Sequence, residues 1–258
     1  MSDINKMNRR SFLSLTGSAV AGAAAISVAG CASSANNASA ISSANIPDKW
    51  DYETDFVVVG AGTALTGALK AVALGLNCIC VEARTMTGGT TSLSGGSVWI
   101  PCNDYAKDDA AAAKVYMTRV ADGLSTEAII DAYIAEASNM INFITETAGV
   151  QWAIADRTDY HEQWEGATTA TRTVKPIDPE TGKTTSGAGY TQPQAKKFEE
   201  LGGKFLLETT AEQLVARPLA DGRQEVLGVI AKTANGEKIA IKANKGVWLG
   251  AGGFDYNE

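Results

Sequence analysis

Three groups of residues between Asp55 and Asn103 have the types and spacing needed to bind a phosphate-linked nucleotide. The first is Gly60-Ala61-Gly62, the second is the acid Glu82, and the third is the glycine- and hydroxyl-rich run Gly88–Gly96. Glycine turns bring backbone N–H groups close to phosphate, an acid can hold a ribose, and hydroxyl groups donate hydrogen bonds to a ligand. Each group alone is weak evidence, but their order along the chain predicts a bound dinucleotide.

The glycine pair lies where a buried strand would turn into a helix. Gly60 would allow the sharp turn, and Gly62 would let the backbone approach a pyrophosphate at the helix N-terminus, where free N–H groups favour negative charge. The third glycine of the G-x-G-x-x-G pattern is replaced by Leu65. Since that glycine normally allows close packing of helix on strand, we expect a slightly displaced helix, with Gly67 compensating, rather than lost binding.

Glu82 follows the apolar run Cys78–Val81 and lies twenty residues beyond Gly62. An acid at this point of a strand–helix–strand unit can accept both hydroxyls of an adenosine ribose. Its carboxylate would repel a 2′-phosphate, which argues against NADP. The alternative is an ordinary exposed acid at the end of a strand.

The run Gly88–Gly96 contains four glycines and four hydroxyl residues in nine positions. This composition predicts neither a helix nor a packed strand, but an irregular backbone that wraps closely around a ligand. The alternative is a flexible linker. The apolar residues that follow, Ser97–Pro101, look buried and disfavour it.

Alternating strand and helix patterns would position these groups. A first unit is predicted as strand Phe56–Val59, helix Thr63–Leu74 and strand Cys78–Val81. Two helices, Ala110–Val120 and Ser125–Thr147, follow, the second capped by Ser125, and Val150–Gly189 lacks clear periodicity. The remaining predicted elements are helix Gln192–Leu201, strand Lys204–Glu208, a meander of Gln213–Arg217, Glu225–Thr233 and Lys238–Ala243 with turns at Asp221-Gly222 and Asn235-Gly236, and buried strand Gly246–Leu249.

Length and charge are those of a globular protein that does not bind nucleic acid. With 258 residues, 45% of them hydrophobic, the chain can bury a full core, and one substantial domain is expected. The net charge is −7, and residues 1–31 carry one acid and three bases, or +2, so the remainder carries −7 − 2 = −9. This acidity and the absence of a basic stripe disfavour a nucleic-acid partner, and none is expected.

The N-terminal residues are typical of an export signal. Arg9-Arg10 precedes an alanine- and glycine-rich run that ends at Val28-Ala29-Gly30-Cys31, too short and too rich in small residues for a membrane span. The arginine pair resembles a twin-arginine signal. The run before Cys31 resembles a lipobox, at which the chain is cleaved before that cysteine and the cysteine is lipidated. We therefore expect a signal over residues 1–31, a flexible tether over 32–49 and an exported protein that is lipid-anchored at the outer face of the cytoplasmic membrane or lies in the periplasm.

The remaining cysteines and the single histidine do not predict a metal site. Cys78 and Cys80 alternate on one strand and would both point into the core, while Cys102 has no evident partner. With His161 as the one histidine and no C-x-x-C in the sequence, neither zinc nor haem binding is expected. A disulfide remains open, since the sequence does not select a pair.

Taken together, G-A-G, V-E-A and GGTTSLSGGSVWIPCN resemble the FAD-binding domain of flavoproteins related to fumarate reductase and succinate dehydrogenase, most closely the 3-ketosteroid dehydrogenase branch. The segment Lys245–Asn257 is similar to the strand and glycine turn that close the same domain. The resemblance implies an α/β, Rossmann-like domain of the glutathione-reductase type, with a parallel sheet and a meander, over residues 50–258, and a helical and irregular insertion at 106–190. The implied FAD-binding residues are Gly60, Gly62, Ala64, Glu82, Gly89, Thr90, Thr91, Ser94, Gly95, Gly96, Ala251 and Gly252.

The same resemblance implies hydride transfer between FAD and a C–C bond next to a carbonyl. Its substrate would be a steroid enone or, in a fumarate reductase-like alternative, another enoate, with a membrane or haem electron carrier as partner. Asp159-Tyr160 resembles a dipeptide that supplies an active-site tyrosine in this branch, so Tyr160 is the catalytic candidate; the alternative is a loop tyrosine without a chemical role. We expect the substrate domain of such proteins to be absent from this chain, which could then be an FAD-binding module without its own turnover.

Overall fold

The structure, a computed structural model, describes residues 46–253 of the chain. The expected signal with Cys31, most of the tether and the last residues of the closing segment, 254–258, lie outside this part. The described residues belong to the compact unit Ile41–Glu258. Within them, no helix has the length and apolar character needed to cross a membrane.

The main sheet combines a parallel half with an antiparallel half. Its strands are β1 (Tyr52–Val59), β2 (Cys78–Val81), β6 (Lys204–Leu206), β7 (Thr209–Pro218), β8 (Gln224–Thr233) and β9 (Lys238–Leu249). The order is β6-β2-β1-β9-β8-β7, with β6, β2, β1 and β9 parallel to one another. Val57 and Val58 on β1 are fully buried, one on each side of the sheet. The predicted parallel sheet is thus confirmed.

The meander β7-β8-β9 is antiparallel and turns where the sequence indicated. Gly222 and Gly236 both have positive φ, +81° and +86°, as a tight hairpin turn requires. The prediction of two separate strands after the second turn was wrong, because β9 is continuous. A register shift between Thr54 and Phe56 of β1 marks a bulge in β9 that absorbs the irregularity.

Two helices lie next to the parallel strands. Helix α1 (Leu65–Ala73) follows β1, and a short helix α2 (Gly89–Leu93) lies in the glycine-rich run. The expectation that this run contains no helix was wrong. Gly88 enters the turn at a φ of +103°, and the hydroxyl of Ser92 donates to the Gly89 carbonyl at 2.9 Å, so the side chains that disfavour long helices stabilise this single turn.

The segment after α2, which includes the insertion proposed at 106–190, contains two long helices and a second sheet. Helices α3 (Ala110–Ala121) and α4 (Glu127–Ala148) are followed by an antiparallel sheet of order β3-β5-β4, built from β3 (Val98–Trp99), β4 (Gln151–Ile154) and β5 (Thr173–Ile177). Helix α4 is capped by Thr126, whose hydroxyl accepts the Ile129 N–H, and not by Ser125 as predicted. The expected irregular segment therefore contains two strands that the sequence pattern did not reveal.

The last helix, α5 (Ala188–Glu200), returns the chain from the insertion to the main sheet. It begins four residues before the predicted Gln192, and Pro193 lies inside it. Phe198 is fully buried and packs in one cluster with residues of α1 and β2, including Cys78 and Cys80. The prediction that both cysteines are small core residues is confirmed.

Candidate dinucleotide-binding cleft

A cleft of about 340 Å³ lies at the carboxyl ends of β1, β2 and β9. Ligands of open parallel sheets bind at this edge. Of the sequence-predicted residues, those that line the cleft are Gly60, Gly62, Glu82, Gly89, Thr90, Thr91, Ala251 and Gly252. Sequence reasoning missed several further lining residues, among them Thr63, Arg84, Thr209, Thr210 and Ala211. The last three begin β7, whose place at the cleft is a result of sheet order and has no local sequence signature.

Gly60 makes the turn that opens the cleft. Its φ is +92°, and a Cβ at this position would collide with the carbonyl oxygen of Gly250. The Gly60 N–H donates to Val81 at 2.8 Å, and the Gly250 N–H donates to Val59 at 2.8 Å. These bonds hold the ends of three parallel strands together at a spacing that only glycine permits.

The N-terminus of α1 follows this turn in the chain. Among the described residues, no side chain caps the helix at Ala64, and the Leu65 N–H donates to the Gly62 carbonyl at 3.1 Å. Ala64 does not line the cleft; it is buried against Gly250, where an added Cβ would overlap with its own. Leu65 is fully buried, and the close helix-to-strand approach occurs at Gly67, where a Cβ would overlap the Trp248 ring.

Glu82 is buried in the floor of the cleft, with 6% of its surface exposed. One carboxylate oxygen accepts the Ala61 N–H at 2.8 Å and the other accepts the Arg84 N–H at 2.9 Å. The alternative of an ordinary exposed acid is therefore wrong. Each oxygen retains a lone pair that can accept a hydroxyl hydrogen, which is the arrangement that ribose binding needs. Its binding of ribose stays a prediction.

The glycine-rich run closes over the turn from the other side. A Cβ on Gly62 would lie 3.3 Å from the Gly88 carbonyl oxygen and 3.4 Å from the Thr91 hydroxyl. The hydroxyls of Thr63 and Thr91 are 3.3 Å apart. Two turns thus face each other with little room for side chains between them, which leaves backbone N–H groups and hydroxyls as the available donors.

The end of the run lies away from the cleft. The Ser94 hydroxyl donates to the Thr91 carbonyl at 2.7 Å and accepts the Gly96 N–H at 3.2 Å. Gly96 has a φ of +74° and lies against the backbone of Ser186, while Gly95 is exposed with open space around it in the described structure. Among the described residues these three do not line the cleft, and their contact with the cofactor stays a prediction.

The cleft fits the adenosine and pyrophosphate end of a dinucleotide. It offers a buried carboxylate for the ribose, an uncapped helix terminus for phosphate, and glycines where side chains would block the approach. Its volume lies near the lower end of the range for small-molecule sites, roughly 300–1,000 Å³. The lining residues can hold and orient a ligand, and any redox chemistry would come from that ligand.

Tyr160 lies on the insertion and is not among the residues that line the cleft. Its side chain is 93% exposed, and its ring meets the His161 ring edge-on at 5.2 Å. His161 stacks on Trp164 at 3.9 Å. The structure therefore does not bring the catalytic candidate to the dinucleotide cleft, and its role stays a prediction.

Sequence reasoning also missed a fully buried arginine in the insertion. Arg172 is 2% exposed and pairs with the carboxylates of Asp108 and Asp159, both at 2.9 Å. Burial raises the pKa of Asp108, but hydrogen bonds from Arg172 and from the N–H of Cys102 outweigh it and leave that pKa below its usual range. Arginine is seldom fully buried, so nothing in the local sequence marks this residue.

Cys78 and Cys80 are structural by their surroundings. Burial raises the pKa of the Cys78 thiol to about 12 and that of the Cys80 thiol above its usual range. Thiols in such surroundings are inert. Among residues 46–253, no group of three or more His, Cys, Asp or Glu side chains is arranged to hold a metal ion.

Comparison with known proteins gives matches over most of the chain. A family model described as the FAD binding domain matches residues 55–257. The 3-oxosteroid 1-dehydrogenase of Comamonas testosteroni is 31% identical over 189 residues, which cover 70% of this chain and 33% of that protein. The urocanate reductase of Eggerthella lenta is 30% identical over 216 residues, which cover 82% of this chain and 33% of that protein.

Among solved structures, the 3-ketosteroid delta1-dehydrogenase of Sterolibacterium denitrificans has a similar fold. The TM-score is 0.72 at 24% identity, over 78% of this chain and 48% of that chain. This chain thus spans about a third of the length of the two curated relatives and about half of the solved structure.

Proposed function

Since the chain belongs to the FAD binding domain family, we propose that the complete protein is an oxidoreductase that transfers a hydride between FAD and a carbonyl-activated carbon–carbon bond. The expected fold and the expected cofactor, FAD, are confirmed by this membership. The observation that carries the proposal is the match of 31% over 70% of the chain to a 3-oxosteroid 1-dehydrogenase. The first candidate substrate is therefore a 3-ketosteroid or a similar enone.

In this proposal, the residues of the cleft bind and orient the cofactor. When bound, FAD supplies the hydride acceptor or donor. Glu82 holds the adenosine ribose, and the N-terminus of α1 with Gly60 and Gly62 holds the pyrophosphate. Binding at this end would anchor the cofactor to the carboxyl edge of the sheet.

Tyr160 is the candidate for proton transfer in the same reaction. Its hydroxyl is exposed and free to meet a substrate carbonyl or an adjacent C–H group, as a hydrogen-bond donor or as a proton carrier. A second candidate function is reduction of an enoate, the reverse hydride transfer. The 30% identity to a urocanate reductase over 82% of the chain favours it, as does the proposed location outside the cytoplasm, where a membrane or haem carrier would supply electrons.

An assay of the complete protein distinguishes these functions. The purified protein should show flavin absorbance, and the reduced protein should be reoxidised by steroid dienones or by enoates such as urocanate and fumarate under anaerobic conditions. Reoxidation by the steroids alone supports the first candidate, and reoxidation by the enoates alone supports the second. Bound flavin without turnover of either class would contradict both and leave a binding module.

The proposed lipid anchor has its own test. The arginine pair Arg9-Arg10 and the run that ends at Cys31 support export of a folded, cofactor-loaded protein with attachment to a membrane. Labelled lipid should then be incorporated into the precursor but not into a Cys31→Ala variant. Equal labelling of both proteins would refute the anchor.

A further inference from the structure

Asp159 and Tyr160 are neighbours in the chain with opposite surroundings. The side chain of Asp159 is 2% exposed, whereas Tyr160 is 93% exposed. The backbone on both sides is held: the Asp159 N–H donates to the Thr168 carbonyl at 2.9 Å, and the His161 N–H donates to the Tyr116 hydroxyl at 3.1 Å. The backbone under an exposed loop side chain is usually mobile, but the backbone on each side of Tyr160 is hydrogen-bonded to the insertion.

An ionic network in the interior of the insertion holds the backbone next to Tyr160. The Arg172 guanidinium bonds both oxygens of Asp108 at 2.9 and 3.0 Å, one oxygen of Asp159 at 2.9 Å, and the Gly166 carbonyl at 2.8 Å. The second Asp159 oxygen accepts the indole N–H of Trp99 at 2.7 Å. The paired bonds to Asp108 fix the direction of the guanidinium, and the Asp159 carboxylate accepts three donors, from Arg172, Trp99 and the Thr168 N–H. The carboxylate of Asp159 therefore has one orientation, which fixes the start of the segment that carries Tyr160.

Aromatic rings continue this network to the surface. Trp99 lies 6.1 Å from Tyr116, and Tyr116 lies 6.4 Å from Trp164. Trp164 stacks on His161, whose ring meets that of Tyr160. The ring of Tyr160 thus contacts His161 on one side, while most of its surface is exposed to solvent.

We propose that Arg172 and Asp159 are positioning residues that hold Tyr160 in place for the substrate. A buried ion pair is weak evidence for stability, because desolvation offsets the attraction between its charges, but here its directed hydrogen bonds hold the Asp159 carboxylate from three sides. Catalytic groups need that geometry, since a misplacement of about 1 Å costs on the order of a hundredfold in rate. This inference rests on the role of Tyr160 in the proposed function.

The test uses the complete FAD-loaded protein and a variant that weakens the network mildly. Trp99→Phe removes the indole N–H that bonds Asp159 while keeping an aromatic ring, and Asp159→Asn is the stronger variant. Ile141→Val is the matched control, because Ile141 is buried in the same insertion in a cluster that contains neither Asp159 nor Tyr160. Each variant is made with Tyr160 present and in a Tyr160→Phe background.

Steady-state kinetics form the first readout. With Tyr160 present, Trp99→Phe should lower kcat by about tenfold or more at unchanged flavin content, because the tyrosine is displaced. In the Tyr160→Phe background the same change should have less than about a twofold effect, because the hydroxyl to be positioned is already gone. Ile141→Val should leave kcat unchanged in both. An equal loss in both backgrounds would show a structural role only and overturn the inference.

Amide hydrogen exchange is the second readout and does not need turnover. Exchange across 157–168 should accelerate in Trp99→Phe and Asp159→Asn and stay at the wild-type rate in Ile141→Val. Unchanged exchange in the first two variants would overturn the inference even if the enzyme were active. If none of the steroids or enoates reoxidised the reduced protein, the proposed function would fail. Amide hydrogen exchange alone would then decide whether the network holds the loop.

Discussion

Replacement of Glu82 by glutamine should weaken FAD binding by one to two orders of magnitude. The substitution keeps the volume of a side chain that is only 6% exposed, but its NH₂ group would face one of the two backbone N–H groups that now donate to Glu82, so the fold has to be checked by thermal unfolding. It replaces one carboxylate oxygen by an NH₂ group and removes the negative charge. Glutamine is therefore a narrower probe of ribose binding than Glu82→Lys, which also introduces an opposite charge into a buried position.

The magnitude follows from the bonds that Glu82 makes. Its two oxygens accept backbone N–H groups of Ala61 and Arg84 at 2.8 and 2.9 Å, and we predict that their remaining lone pairs accept the ribose hydroxyls. A hydrogen bond to a charged group contributes about 1.5–3 kcal/mol. With glutamine, one ribose bond is lost and the other becomes neutral, so a loss of about 2–3 kcal/mol is expected, or roughly 30- to 150-fold in Kd.

Flavin fluorescence during titration of the deflavinated protein measures this Kd. Glu180→Gln is the control, since Glu180 is exposed on a loop of the insertion and takes part in no contact with the cleft in the described structure. Thermal unfolding of the deflavinated forms separates a loss of ligand contact from a loss of fold. A Kd for Glu82→Gln within threefold of the wild-type value, with the fold intact, would refute the ribose assignment.

Three further changes test the surrounding structure. Gly60→Ala should lower the thermal unfolding midpoint, because its φ of +92° and the adjacent Gly250 carbonyl leave no space for a Cβ, at a cost of about 1–3 kcal/mol for the backbone alone. Arg172→Met should lower the free energy of unfolding in urea by about 3–5 kcal/mol, since two buried carboxylates lose their partner. Burial raises the pKa of Cys78 to about 12 and also raises that of Cys80, so both thiols stay protonated in the folded protein while unfolded thiols ionise above about pH 8.5. The free energy of unfolding should therefore fall between pH 8 and 10, and fall less in a Cys78→Ala variant; an equal slope would contradict this.

The cleft could be predicted from the sequence because its requirements are local. A positive φ at Gly60 needs a glycine at that position, and the apolar run before Glu82 indicates a buried strand whose end must meet the turn. Both conclusions use only neighbouring residues and the right-handed strand–helix–strand connection. The contribution of Thr209–Ala211 could not be obtained in this way, since it depends on β7 reaching the same edge through the meander.

The error in the glycine-rich run has a different cause. Glycine, serine and threonine each disfavour the interior of a helix, so the run was predicted to be irregular. A single turn, however, has no interior, and its termini are the positions that glycine and hydroxyl side chains favour. Gly88 supplies the left-handed residue before the turn. The Ser92 and Ser94 hydroxyls donate to the carbonyls of Gly89 and Thr91 within the turn, so their polar groups are satisfied there.

The interior of the insertion could not be predicted because its partners are distant in the chain. Arg172 lies 64 residues from Asp108 and 13 from Asp159. A charged residue is expected at the surface unless a partner is known, and the partner becomes known only when the strands around it are placed. For Tyr160, the sequence offers a resemblance to an active-site dipeptide, with a loop tyrosine as the alternative, and the structure adds an exposed side chain next to an aspartate that is held by a buried ion pair. A group that acts on a substrate needs a fixed backbone and an accessible side chain. This is the physical argument for testing Tyr160 ahead of the other tyrosines of the insertion.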